Sequence, residues 1–202
     1  MKGLDTTFFN LSTQKRPLSN GDLLLAEPFL NEAWFRRAVI SLIDTDRNSG
    51  STGVVLNNPM NYKLPEVLDG VNSDVDVPVF CGGPLSHDRL YFLHTLGPEI
   101  IPDGRLYAPG LYIGGDFDSA IAYVNEGYPY RGCIRFFIGY SGWEPGQLAD
   151  EISRDVWAPG TSPADPALLL TASGDAMWQQ VLRTLGPHYR SWQLIPADLH
   201  AN

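Results

Sequence analysis

Short apolar runs broken by glycine, proline and polar turns dominate the chain. Leu23-Leu24-Leu25-Ala26 is the first such run, stopped by Glu27-Pro28, and it predicts a buried strand. Ala38 to Ile43 is apolar and β-branched, Asp44 to Thr52 is a polar turn, and Gly53 to Leu56 returns. Residues 37–57 therefore predict a hairpin with a long loop. Leu64-Pro65-Glu66-Val67-Leu68 opens a short helix with proline in its first turn. Val77 to Cys81 and Arg89 to His94 predict two more strands, joined by a turn over Gly82 to Asp88. Leu111 to Gly114 predicts another. Asp116 then stands as an N-cap, with Phe117, Ala120, Ile121 and Val124 spaced as one helical face that ends at Glu126-Gly127. Cys133 to Ile138 predicts a strand, 145–153 a helix, Asp175 to Leu185 a last helix, and Gln193-Leu194-Ile195 a final strand.

Strands outnumber helices, and most strand connections are too short for parallel crossovers. The expected fold class is α+β with a largely antiparallel, curved sheet and helices packed against it. No repeat, low-complexity stretch or linker divides the chain, so residues 1–202 read as one domain behind a polar lead-in at 1–18.

Composition narrows the function. With 23 acids against 14 Lys and Arg, the net charge is −9. Nucleic-acid affinity rests on neutralising phosphates, and the densest basic clusters are the pairs Lys15-Arg16 and Arg36-Arg37. Direct nucleic-acid binding is disfavoured. No run is long and apolar enough to span a membrane, and the start lacks a signal-peptide core, so the expectation is a cytoplasmic protein without membrane contact.

Candidate chemistry sits in three glycine-rich segments. Gly82-Gly83-Pro84, followed by Arg89, permits close backbone approach to a ligand. Gly115-Asp116 sits at a helix start. Gly139 to Gln147 contains Ser141, Gly142, Trp143 and Gln147. A Gly-x-Ser after a strand suggests a nucleophile elbow, but Trp143 stands where that turn needs glycine. His188 and His200 are the downstream histidines such a triad would draw on. His94 ends an alternating strand. Cys81 and Cys133 read first as small buried hydrophobes; the alternative is a redox-responsive thiol at Cys81, which abuts the first glycine pair, where amide donors would lower its pKa. The histidines and cysteines show no metal-ligand spacing. If the three segments converge, they form one ligand pocket.

Taken together these segments resemble the YqgE/AlgH family. The resemblance is carried by Gly21 to Ala26, Arg37 to Ile40, Gly53 to Pro59, Gly82-Gly83-Pro84 with Leu93-His94, and Gly110 to Asp116. Arg135 to Leu148 with Trp157 and Trp178 completes it. Asn57-Asn58-Pro59 departs from the basic residue the family often carries before that proline. The resemblance implies a bifurcated sheet curled into a pseudo-barrel with flanking helices. It implies no cofactor, metal or catalytic residue, and a role as a transcriptional regulator of uncharacterised mechanism. With the charge arithmetic, that role is expected to work through a protein partner or a small ligand. The alternative is a small-molecule enzyme or hydrolase using Ser141, Asp116 and His94.

Overall fold

A computed structural model describes residues 16–46 and 48–196. The lead-in therefore lies largely outside the described residues, and His200 wholly so. Ten strands form one sheet: β1 (Leu23–Ala26), β2 (Val39–Asp46), β3 (Gly50–Val55), β4 (Pro59–Lys63), β5 (Pro78–Cys81), β6 (Leu85–His94), β7 (Arg105–Ala108), β8 (Leu111–Ile113), β9 (Ile134–Trp143) and β10 (Trp157–Gly160). Three α-helices flank it: α1 (Phe117–Asn125), α2 (Gln147–Ser153) and α3 (Gly174–Leu182). The class is α+β, as expected.

The apolar runs are strands covered on both faces. In β1, Leu23 and Leu25 enter one core and Leu24 and Ala26 another. In β9, Phe137 joins the first core and Phe136 a third. Helix α3 supplies Met177 and Trp178 to the first core, α2 supplies Leu148 and Ile152 to the second, and α1 supplies Ala120 and Val124 to the third.

Strand β9 is the branch of the sheet. Along one edge it pairs with β6, from Ile134 opposite His94 to Tyr140 opposite Leu85. Its other edge is shared. The first half pairs in parallel with β5 up to Cys81 opposite Ile138, and the second half pairs with β3 from Gly53 opposite Ser141. The path runs openly from β10 to β7. It still curls far enough for β7 to meet β2 through side chains. Ser41 Oγ and Tyr107 OH lie 3.2 Å apart in the first core, and Arg105 grips Asp44 with two bonds of 2.9 and 3.0 Å. Side chains, not a backbone ladder, bring the curl round.

Several expectations need correction. Residues 193–195 form no strand. Pro187–Leu194 is a 3-10 helix, whose three-residue period aligns Tyr189 with Trp192, and Trp192 stacks on Trp178. Strands β4, β7 and β10 were not expected. Proline opens β4 and lies inside β10, which is tolerated because β10 is an edge strand with β1 on one side. The turn expected over Gly82 to Asp88 is shorter, since β6 starts at Leu85 and absorbs the rest through an irregularity before Leu90. Strand β9 does not stop at Ile138 but continues through Trp143.

Candidate functional site

The structure splits the three glycine-rich segments into two groups. Gly82 and Gly83 lie against β9 at the branch: Gly82 N donates to Ile138 O at 2.8 Å, and Gly82 O accepts from Val55 N at 2.9 Å. Ser141 is 1% exposed, and its Oγ donates to Gly82 O at 3.3 Å. Gly115 and Asp116 lie beyond β6, since Gly114 N donates to Phe92 O at 2.9 Å. From Gly82 to Gly114 the path crosses β9, β6 and β8 and shifts three residues along them, roughly 17 Å over the sheet. One ordinary pocket does not serve both groups.

Asp116, Trp143 and Gln147 have structural tasks. Asp116 caps α1, accepting from Ser119 N at 2.8 Å and Ser119 Oγ at 2.6 Å, and these bonds hold its pKa below the ordinary value. Trp143 Nε1 and Trp157 Nε1 both donate to Glu151 Oε2, at 2.9 and 2.6 Å. These two bonds pin α2 to β9 and β10, and Gln147 Nε2, one turn back on the same helix, donates to Glu151 Oε1 at 2.8 Å and holds that carboxylate in place. Glu151 carries no sequence motif; only its i+4 spacing from Gln147 hinted at the bond. Pro84 is exposed just before β6, Arg89 is exposed in its middle, and Gly142 is exposed on β9 opposite Thr52.

No nucleophile elbow forms, because Ser141 sits inside a strand rather than on a turn. His94 pairs opposite Ile134, seven residues along β9 from Ser141, or roughly 23 Å. Ser141, His94 and Asp116 thus do not form an acid–base–nucleophile set. The redox reading of Cys81 also fails on geometry. Cys81 is 5% exposed, and burial pushes its thiol pKa up, whereas a responsive thiol needs it lowered.

His94 is fully buried. Its Nε2 lies 3.1 Å from Gly114 O, its ring stacks on Tyr112, and its Nδ1 has no hydrogen-bond partner among the described residues. Burial lowers its pKa, only partly offset by the Gly114 carbonyl. The unfolded chain therefore takes up a proton more readily than the fold does. Stability is fully present above the ordinary value near 6.5 and is lost as pH falls below it, by up to about 1.4 kcal/mol per pH unit. Urea denaturation of wild type and His94→Gln from pH 8 to pH 5 should show wild type losing ground to the variant only below pH 6.5. A difference that stays constant with pH would disprove this.

Two adjoining cavities lie elsewhere, on either side of Leu18 and over α2. One, about 370 Å³, is lined by Leu18, Ala149, Ile152 and Pro159, with Arg16 and Asp22 at its edge. Arg16 Nη1 donates to Asp22 Oδ2 at 2.9 Å, and Asp22 also accepts from Ser19 N. The other, about 470 Å³, reaches from Leu18 and Ala149 to Asp46, Gly50 and Glu144. The sequence reading missed this groove, because Leu18 and Ala149 are ordinary apolar residues until the fold brings them together.

The fold and groove define an α+β protein with a bifurcated, curled sheet and an apolar groove on one helix. Residues 23–190 match the AlgH-like family, and the chain belongs to it. A UPF0301 protein of Parabacteroides distasonis is 38% identical over 182 residues, covering 90% of each chain. Another, from Bacteroides fragilis, is 36% identical over 193 residues and 96% of each chain. Among solved structures, AlgH of Pseudomonas aeruginosa matches with a TM-score of 0.65 at 26% identity, covering 92% of this chain and 93% of that one. Protein DIP2367 of Corynebacterium diphtheriae has the same fold, with a TM-score of 0.65 at 24% identity over 88% of this chain and 92% of its own. Among the described residues, no helix is long and apolar enough to cross a membrane.

Proposed function

We propose that this protein regulates by binding rather than by catalysis, taking up a compact, mostly apolar small molecule in the groove over α2. The observation that carries this reading is the 370 Å³ cavity, whose apolar wall ends at the Arg16–Asp22 pair. A few oriented polar groups on an apolar wall are what small-molecule sites offer. The pair would meet the ligand's polar end, and Leu18, Ala149 and Ile152 its body. A regulatory effect on transcription would pass through this ligand or a protein partner, because a net charge of −9 opposes contact with DNA.

A thermal-shift screen against a metabolite library tests the reading. A ligand at 100 times its dissociation constant adds about 2.7 kcal/mol, or about 5–10 °C for a chain this size. Ala149→Trp fills the groove where the two cavities meet and should remove the shift, whereas Asp116→Ala should keep it. A screen without hits, or hits that survive Ala149→Trp, would defeat the proposal.

A further inference from the structure

Arg135 of β9 is a buried cation that the protein itself leaves only partly satisfied. It is 5% exposed. Its Nη1 donates to Leu56 O at 2.7 Å, and its Cζ lies 4.2 Å from the centre of the Phe80 ring. Its Nε and Nη2 donate to no acceptor among the described residues, and no described carboxylate pairs with it. A guanidinium carries five N–H donors, and stripping its water is costly unless they meet acceptors. Arg37, equally buried, shows the usual remedy. Its Nη2 donates to Ile195 O at 2.7 Å, its Nη1 lies 3.8 Å from Asp175, and its Cζ lies over Trp178. Burial draws the Arg135 pKa down to about 10, which leaves it charged at neutral pH.

Arg135 lines a cavity of about 100 Å³, bounded by Phe80, Tyr130, Arg131, Thr171 and Ser173. Ser173 is the N-cap of α3, yet its hydroxyl makes no capping bond. Arg131 is exposed at the mouth, its Nε donating to Tyr130 OH at a long 3.4 Å. Asp76 pairs with Lys63 at 2.9 Å while its charge also reaches Arg131, and Asp175 faces Arg37. Two arginines and a free hydroxyl thus surround a space sized for one small oxyanion, in a chain whose overall charge repels anions. We propose that this cavity binds a phosphoryl oxyanion, with the free edge of Arg135 gripping it from below and Arg131 and Ser173 closing over it. The planar fork of arginine matches two phosphate oxygens at once. Because the mouth is exposed, the anion is either free phosphate or the phosphoryl end of a small molecule whose body stays in solvent.

Calorimetric titration with inorganic phosphate and with glycerol 3-phosphate, at constant ionic strength in chloride, tests this. Wild type should bind at least one of them saturably. Ser173→Asp keeps a good N-cap, so the fold is retained, but it sets a carboxylate at the mouth and should weaken binding at least tenfold. Arg135→Lys keeps the charge without the fork and should weaken it comparably. Should that variant fail to fold, Ser173→Asp decides. Tighter binding of glycerol 3-phosphate assigns the site to phosphorylated small molecules, and tighter binding of phosphate to the free anion. Both outcomes support the proposal. Binding of neither, or binding unchanged in Ser173→Asp, overturns it. The site is separate from the groove over α2: Ala149→Trp should titrate like wild type, and a loss there would move the anion into the groove and overturn the assignment.

Discussion

Gly83→Ala should destabilise the fold by about 3–5 kcal/mol, lowering the melting temperature by roughly 6–20 °C. Gly83 has φ +146, a conformation side chains rarely adopt, and a Cβ there would run into the Tyr140 carbonyl and the Ser141 hydroxyl. Backbone cannot yield as a flexible side chain does. The reason for the crowding is the branch. Where β9 changes partner from β5 to β3, the chain leaving β5 must pass directly over it, and Gly82, Gly83 and Gly139 are the points of contact. A Cβ on Gly139 would lie 2.5 Å from Gly83 O and 2.8 Å from Leu85 O. Gly146→Ala is the control. Its φ is +83, but nothing lies within 4 Å of the added carbon, so only the conformational cost of about 1 kcal/mol applies. Equal melting temperatures for the two variants would return the glycine pair to the ligand-binding role that its sequence suggests.

The same residues show how far the sequence can be read. Apolar runs such as Leu23 to Ala26 announced strands correctly, because burial on both faces erases alternation. The Asp116 cap was legible for the same local reason: its bonds reach only to Ser119. The glycine pair reads first as a tight turn between strands and second as a ligand loop, and its actual task depends on Gly139, far away in the chain. Ser141 misled in the same way, since only the register with Gly53 places it inside the sheet. Arg135 left the one clue that went unread. An arginine between Ile134 and Phe136, in a run that must be buried, needs a partner, and its own strand carries no acid. The groove over α2 left no clue at all.

Asn57→Asp should cost about 3–5 kcal/mol at neutral pH and much less in acid. Asn57 is 4% exposed and fully used: its Oδ1 accepts from Val39 N at 2.8 Å, and its Nδ2 donates to Arg37 O at 2.8 Å and Gly174 O at 3.0 Å. Aspartate has the same shape, but its second oxygen would face two carbonyls, and burial with two acceptors raises its folded pKa. The sign follows from that. Below the unfolded value near 3.9 both states hold the proton, and the protonated acid can donate to one carbonyl. As pH rises above 3.9 the unfolded chain loses the proton first, so stability falls until the raised folded value is reached. The gap between wild type and Asn57→Asp, measured by urea denaturation, should therefore widen from pH 4 to pH 8. Asn57→Ala should show a gap of about 3 kcal/mol or more that does not change with pH. A flat profile for the aspartate variant would mean that water reaches the site. The position matters beyond stability, because Gly174 N also donates to Asn57 O at 2.8 Å. Asn57 thereby ties the end of the β2–β3 hairpin to the start of α3, next to the Ser173 hydroxyl that closes the Arg135 cavity. Asn57→Ala should consequently weaken phosphate binding as well as the fold, even where the protein remains folded, and unchanged phosphate affinity would show that the cavity is held together without it.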